Sequence, residues 1–329
     1  MSSTHNNTLA TLEPHGANIA LGDLLRWRLA AQHIPLENRR NSSQLAGGRR
    51  STLRGRGIDF DEVRLYQAGD DVRAIDWRVT ARTGKAHTKV FREEKERPVI
   101  LVIDLRSAMF FGSRRCFKSV LVAHTAALLA WATLEAGDRI GAMLISDDGI
   151  VDIKPRRSRH TVLQLFRQIL AINQRHALVS KNTLSSKNNT PGLAPPTLHD
   201  AMQQLRTITK PGSCSILLSD FHDWNDDCAR ALYPVVRHSQ CFAVQTTDAL
   251  EQKIPTLGLV RLRSGLRTAT IDTQDQKMLA RFQQQRQQHQ QQLHDALRTL
   301  KIPQLSLHTN ELLFPALRQF FLHGATNGK

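Results

Sequence analysis

Aromatic residues are scarce in this chain, 5% of 329, and it holds only four cysteines, Cys116, Cys214, Cys228 and Cys241. None are spaced as a CxxC pair, which argues against a zinc knuckle or a thioredoxin-type site. They fall within predicted helices and strands, where a free thiol packs as a small hydrophobe, and this fits a reducing cytosol. No GxxxxGK[ST] loop is present, so any ATP chemistry would belong to a partner. The opening MSSTHNNTLATLEPHG has no basic start followed by an apolar core, so no signal peptide is expected. The best candidate for a membrane span, residues 120–136, contains His124 and Glu135 and is too short to cross comfortably. The expectation is a soluble, cytoplasmic protein.

Acidic residues are also in deficit, with Asp+Glu 29 against Lys+Arg 45, a formal charge of +16. That balance suits an acidic partner such as nucleic acid, anionic lipid or an acidic protein face, and equally suits an Arg-rich surface with no partner. Arg39, Arg40, Arg49, Arg50, Arg54 and Arg56 cluster around Gly47 and Gly48 without an aromatic among them. Stacking on single strands wants interleaved aromatics, so a solvated basic loop is the simpler reading.

What is present is enough for a large core: 40% hydrophobic and 22% charged residues over a length that fits one large domain or two ordinary ones. Residues 98–112, PVILVIDLRSAMFFG, read as the centre of the fold. The β-branched run at 99–103 suits a strand buried on both faces, and it ends on Asp104. Around it the pattern alternates. Helices are predicted over 17–34, 113–136, 159–172, 197–209, 223–236, 275–300 and 311–323. Strands are predicted over 86–91, 138–146, 150–153, 213–219, 240–245 and 304–308, with an antiparallel pair at 257–262 and 268–271. Residues 173–196 read as a long loop. Thr197, with Asp200 three residues on, reads as a variant capping box. The helix at 275–300 carries QQQRQQHQQQ, taken as a solvated face.

Two predicted strands end on carboxylates, Asp104 and Asp220, with Thr197 at the start of an intervening helix. Open α/β sheets bind ligands at the carboxyl ends of their strands, and Mg²⁺ favours such oxygen donors. Strand-end aspartates also serve as caps. Residues 57–97 mix Asp, Arg and aromatics too irregularly for a helix. Tyr66, Trp77 and Phe91 are expected to form a small core, and Asp70, Asp71, Arg73, Asp76, Arg78 and Arg82 a charge-paired network.

The block from Arg54 to Arg82, with GIDFDEVRLYQAGDDVRAIDWRVTAR at its heart, resembles the signature of the bacterial DUF58 family. Arg64, Tyr66, Gly69, Asp70, Asp71, Arg73, Asp76, Trp77 and Arg82 carry the resemblance. The second half resembles a von Willebrand factor A domain, whose metal-ion-dependent adhesion site combines a DxSxS loop, a Thr and an Asp. The resemblance implies an α/β fold, a mostly parallel Rossmann-like sheet flanked by helices with a smaller N-terminal β-containing appendage. It implies a tail and helix at 1–35, a basic signature segment at 36–97 and a von Willebrand factor A-like domain with a C-terminal extension at 98–329. Carried over by position, Asp104 stands at the first aspartate, Thr197 at the threonine and Asp220 at the last aspartate. Arg106 and Ala108 stand at the two serine positions, with Ser107 between them. The implied site is therefore degenerate, built of Asp104, Ser107, Thr197 and Asp220, and holds either Mg²⁺ or no cofactor. Pairing of Arg106 with Asp104 or Asp220 in the ion's place is the expected outcome.

The resemblance further implies a non-enzymatic adaptor that works with a MoxR-type AAA+ ATPase in the maturation of a protein complex. No nucleophile–base pair or paired acid/base carboxylates stand out to oppose that reading. The competing class is a nucleic-acid-binding or metal-dependent nuclease-like protein, motivated by the charge and the strand-end aspartates.

Overall fold

The computed structural model describes residues 12–36, 58–67, 70–93, 96–182, 194–264 and 267–323. The arginine-rich run at 39–56 and the signature glycine Gly69 lie outside them. The chain divides into two compact units, one of Met1–Ala46 with Arg97–Lys329 and one of Gly47–Glu96. The first helical segment thus belongs to the large unit and is not a separate piece. Its burial explains this, since Leu24 and Trp27 are fully enclosed in that unit's core.

That segment is two short helices, α1 (Leu21–Arg26) and α2 (Arg28–Ala31), rather than the single helix expected over 17–34. The break falls at Trp27, whose indole Nε1 donates to Nδ1 of His124 at 2.9 Å.

In the small unit, β1 (Ile58–Leu65) was not expected, and 77–83 is not the irregular stretch its charge pattern implied. Helix α3 (Trp77–Thr83) forms because the Asp76 carboxylate accepts from the amides of Arg78 at 3.0 Å and Val79 at 3.1 Å, an N-cap. It stops at Gly84, which takes φ 70°. Strand β2 (His87–Glu93) then returns antiparallel to β1, with a bulge between Phe60 and Glu62.

The large unit holds β3 (Pro98–Asp104), α4 (Lys118–Glu135), β4 (Arg139–Ser146), β5 (Gly149–Arg156), α5 (Arg159–Asn182), α6 (Leu198–Ile208), β6 (Cys214–Ser219), α7 (Asp226–Val236), β7 (Gln240–Thr247), α8 (Ala249–Gln252), β8 (Leu259–Ser264), β9 (Arg267–Asp272), α9 (Gln276–Thr299), β10 (Gln304–His308) and α10 (Leu313–His323). Six strands make one sheet in the order β10-β7-β6-β3-β4-β5, parallel throughout except for the edge strand β5; β8 and β9 form a separate hairpin. The crossovers from β3 through α4, and onward through α6, α7 and α9, place helices on both faces of the sheet, the arrangement parallel sheets require.

Strand β3 lies at the middle and shows the logic of its sequence. Val99, Leu101 and Ile103 pack into one core with α4, α5 and α10, while Ile100 and Val102 pack into the other with α6, α7 and α9. A period-two strand buried on both faces has no polar side to spare, hence the unbroken apolar run. Helix α4 is enclosed on nearly every side, so it has no amphipathic stripe. Helix α5 runs ten residues past its expected end at 172, into the predicted loop. Asn173 there is buried, and the His176 ring stacks on Phe110 at a centroid distance of 3.6 Å.

A closed ion-pair network at the carboxyl edge of the sheet

The ends of β3 and β6 and the first turn of α4 meet at the carboxyl edge. Asp104, the last residue of β3, is fully buried. Arg106, two residues on, folds back over it. Its Nε donates to Asp104 Oδ1 at 2.9 Å and its Nη2 to Asp104 Oδ2 at 2.7 Å. The other side of the guanidinium holds Asp223 by Nη1 at 2.6 Å and Nη2 at 2.9 Å, and Nη1 also reaches the Pro196 carbonyl at 3.2 Å. All five N–H donors of one arginine are thus used on two carboxylates and one backbone oxygen. Burial works against the guanidinium's charge, but Asp104 and Asp223 more than offset it and raise its pKa further. The Ser219 hydroxyl donates to the remaining side of Asp104 at 2.7 Å.

Asp220 is held by a different cation. The Lys118 ammonium, fully buried at the start of α4, lies 2.6 Å from Asp220 Oδ2 and 2.6 Å from Glu251 Oε1. Glu251 in turn meets Arg286 of α9 at 3.4 Å. His222 Nδ1 sits 2.9 Å from Asp220 Oδ1. Burial pushes the Asp220 carboxyl up, but the His222 hydrogen bond and the Lys118 charge outweigh it and hold the pKa below the usual carboxylate range. The same hydrogen bond raises His222, against its partial burial. Asp223 is likewise lowered, with burial again outweighed by Arg106.

Between the two ion pairs the chain takes a strained turn. Phe221 adopts φ 55°, a region bulky residues rarely occupy, with its ring fully buried against Trp224. His289 of α9 donates to its carbonyl at 2.9 Å, helping to fix that turn.

Each of the four residues expected to surround an ion is already engaged by another partner. Asp104 is paired with Arg106 and Asp220 with Lys118. The Thr197 hydroxyl is tied into a capping box with Asp200, donating to its carboxylate at 2.7 Å and accepting from its amide at 3.2 Å. Ser107 turns away to Asp147, to which both its hydroxyl and its amide donate. Arg106 pairs with Asp104 as expected, but its second carboxylate is Asp223 and not Asp220.

A hard dication needs several oxygen ligands free of competing cations. Here a guanidinium covers both oxygens of Asp104 and an ammonium faces Asp220, so the residues do not fit Mg²⁺. Among the described residues no group of His, Cys, Asp and Glu is arranged to hold a metal ion.

Lys118, Ser219, Asp223 and Glu251 were not anticipated. Asp223 has a local signal, because DFHD places two carboxylates and a histidine within four residues. Lys118 has none. It opens an apolar helix, and its partner Asp220 is 102 positions away.

Of the signature residues, Arg64 pairs with Asp70 at 2.7 Å, and the Tyr66 hydroxyl donates to the Asp70 carbonyl at 3.3 Å. Asp71 caps the 3-10 turn Val72–Ala74, and Asp76 caps α3 and lies 3.5 Å from Lys89. Trp77 does not join a small core. It is 68% exposed, because the first turn of α3 presents it outward. Arg73, Arg78 and Arg82 form no ion pair with a described residue, so the expected charge network is only partly built.

Comparison with known proteins places the chain in a wider family. A family model described as a protein of unknown function, DUF58, matches residues 62–292. The uncharacterized proteins Rv1480 of Mycobacterium tuberculosis and Mb1516 of Mycobacterium bovis are each 27% identical over 255 residues, covering 76% of this chain and 74% of theirs. A crystal structure of the conserved hypothetical protein BatB from Bacteroides thetaiotaomicron aligns with 69% of this chain and 97% of its own, at 12% identity and a TM-score of 0.40. With most of its length matched by the family model, the chain belongs to the DUF58 family.

Proposed function

We propose that this protein is a non-enzymatic adaptor with a von Willebrand factor A-like large unit, working beside a MoxR-type AAA+ ATPase in the assembly or maturation of a protein complex. The observation that carries the reading is Arg106, clamped between Asp104 and Asp223 at the strand end where a metal-dependent adhesion site would place its ion. A tethered guanidinium gives the edge a fixed shape with no exchangeable ligand, which suits a surface for binding protein. The described carboxylates around it are also engaged. Asp104, Asp220, Asp223, Asp248 and Glu251 are each engaged by at least one donor. The six-stranded order, with its central strand ending on Asp104, supports the von Willebrand factor A-like assignment.

The experiment is co-purification of the full chain with a MoxR-type ATPase from the same genome, with and without nucleotide. Stoichiometric co-elution in at least one nucleotide state is expected. Absence of association in every state overturns the adaptor reading.

A further inference from the structure

Among the described residues of the small unit, the carboxylates of Asp70 and Asp76 are already committed. Asp70 holds Arg64 and accepts from the Gln67 amide at 2.9 Å, and Asp76 caps α3 and faces Lys89. Four other cations nearby have no described carboxylate beside them. Arg73, Arg78, Arg82 and Lys85 are exposed and form no ion pair with a described carboxylate. Arg78 and Arg82 are four apart on one helix, hence neighbours on its surface, where like charges repel. Trp77 stands beside them at 68% exposure, with Val72 on the preceding turn at 58%. An indole left in water gives up the stabilisation that burial would supply. Trp and Arg are also the residues most enriched where complexes draw their binding energy.

We propose that α3 and the turn before it form a docking surface for an acidic polypeptide segment bearing a large apolar side chain. That side chain lies against Trp77 while its carboxylates pair with Arg73, Arg78 and Arg82. Charge complementarity selects an acidic partner, and the apolar surface at Trp77 and Val72 selects protein. A nucleic-acid backbone fits less well. Its evenly repeated phosphates would also meet Asp70, Asp71 and Asp76, which punctuate the same turn. The proposal deepens the adaptor reading by naming the surface, and rests on it only in requiring a protein partner.

The test is fluorescence anisotropy with the full chain. The probe is a labelled synthetic peptide alternating glutamate with leucine and phenylalanine, competed by duplex DNA. Saturable, salt-sensitive peptide binding is expected, weakened about tenfold or more in Trp77→Ala and in the Arg78→Glu/Arg82→Glu double variant. The Arg78→Lys/Arg82→Lys variant should retain most of it. Absent binding, affinity unchanged in both disruptive variants, or displacement of the peptide by DNA at lower concentration than by unlabelled peptide each overturns the proposal. Capture of the ATPase by the wild type and equally by Trp77→Ala overturns this surface but not the adaptor reading. Failure of the wild type to capture it, with peptide binding intact and lost in the variants, overturns the adaptor reading and upholds the surface.

Discussion

Arg106 is the residue on which the carboxyl edge depends. Its removal leaves Asp104 and Asp223 without their countercharge, one of them fully buried. Truncating one partner of such a pair typically costs about 3–5 kcal/mol. Arg106→Ala is therefore expected to lower the unfolding free energy measured by urea titration by that amount, and a loss below about 1 kcal/mol would contradict the role given to it. Arg106→Lys should recover less than half. A single ammonium cannot grip two carboxylates bidentately.

The neighbouring pair predicts a pH signature. Asp220 is lowered, so its contribution is present above the usual carboxylate value of 3.8 and is lost as pH falls through its folded value. His222 is raised, so its contribution is full below 6.5 and is lost as pH rises through its folded value. In urea titrations across pH, His222→Gln should flatten the alkaline side of the stability profile. An unchanged alkaline slope would mean that His222 is not charged against Asp220.

Among the elements, α1 and α2 are held to α4 by a contact that titrates. The His124 Nδ1 accepts from Trp27, and burial pushes its pKa down to about 4 from 6.5. Protonation would remove the acceptor and place a charge in the core. The contribution of this contact is then complete above pH 6.5 and should fall by about 3 kcal/mol as pH drops to 4. His124→Asn should lose most of that slope in thermal melts followed by tryptophan fluorescence. A slope equal to the wild type would refute the assignment.

Elements were also where the sequence was most legible. β3 was plain because a strand buried on both faces must be apolar throughout, and its end at Asp104 followed. Thr197 with Asp200 was legible as a cap because capping is local. What escaped reading was non-local. α5 continues through polar residues because tertiary contacts at Asn173 and His176 support it. α3 hides in a charge-dense stretch because one cap, Asp76, rather than periodicity, starts it. The site was legible at Asp104 and Arg106, two residues apart, but not at Lys118 and Asp220, whose pairing exists only once the sheet has formed.

For the molecule as a whole, the formal charge of +16 poses the question of nucleic acid. Many acids are interleaved with the bases, and the strongest cations at the carboxyl edge are already neutralised internally. Affinity for random duplex DNA should therefore be weak at physiological salt and should fall steeply as salt rises, with no sequence preference. Tight binding that persists at physiological salt would favour the nucleic-acid class instead. No helix among the described residues is long and apolar enough to cross a membrane.

The carboxyl edge carries a cation of the chain's own, Arg106, and on the proposed reading it leaves no place for an exchangeable one. A thermal-melt titration with Mg²⁺ and Mn²⁺ tests it most directly, comparing the wild type with Arg106→Ser. The wild type should show no metal-dependent rise in Tm, while the variant should melt lower and regain part of the loss when metal is added. A clear rise in the wild type that disappears in Asp104→Ala would contradict the account.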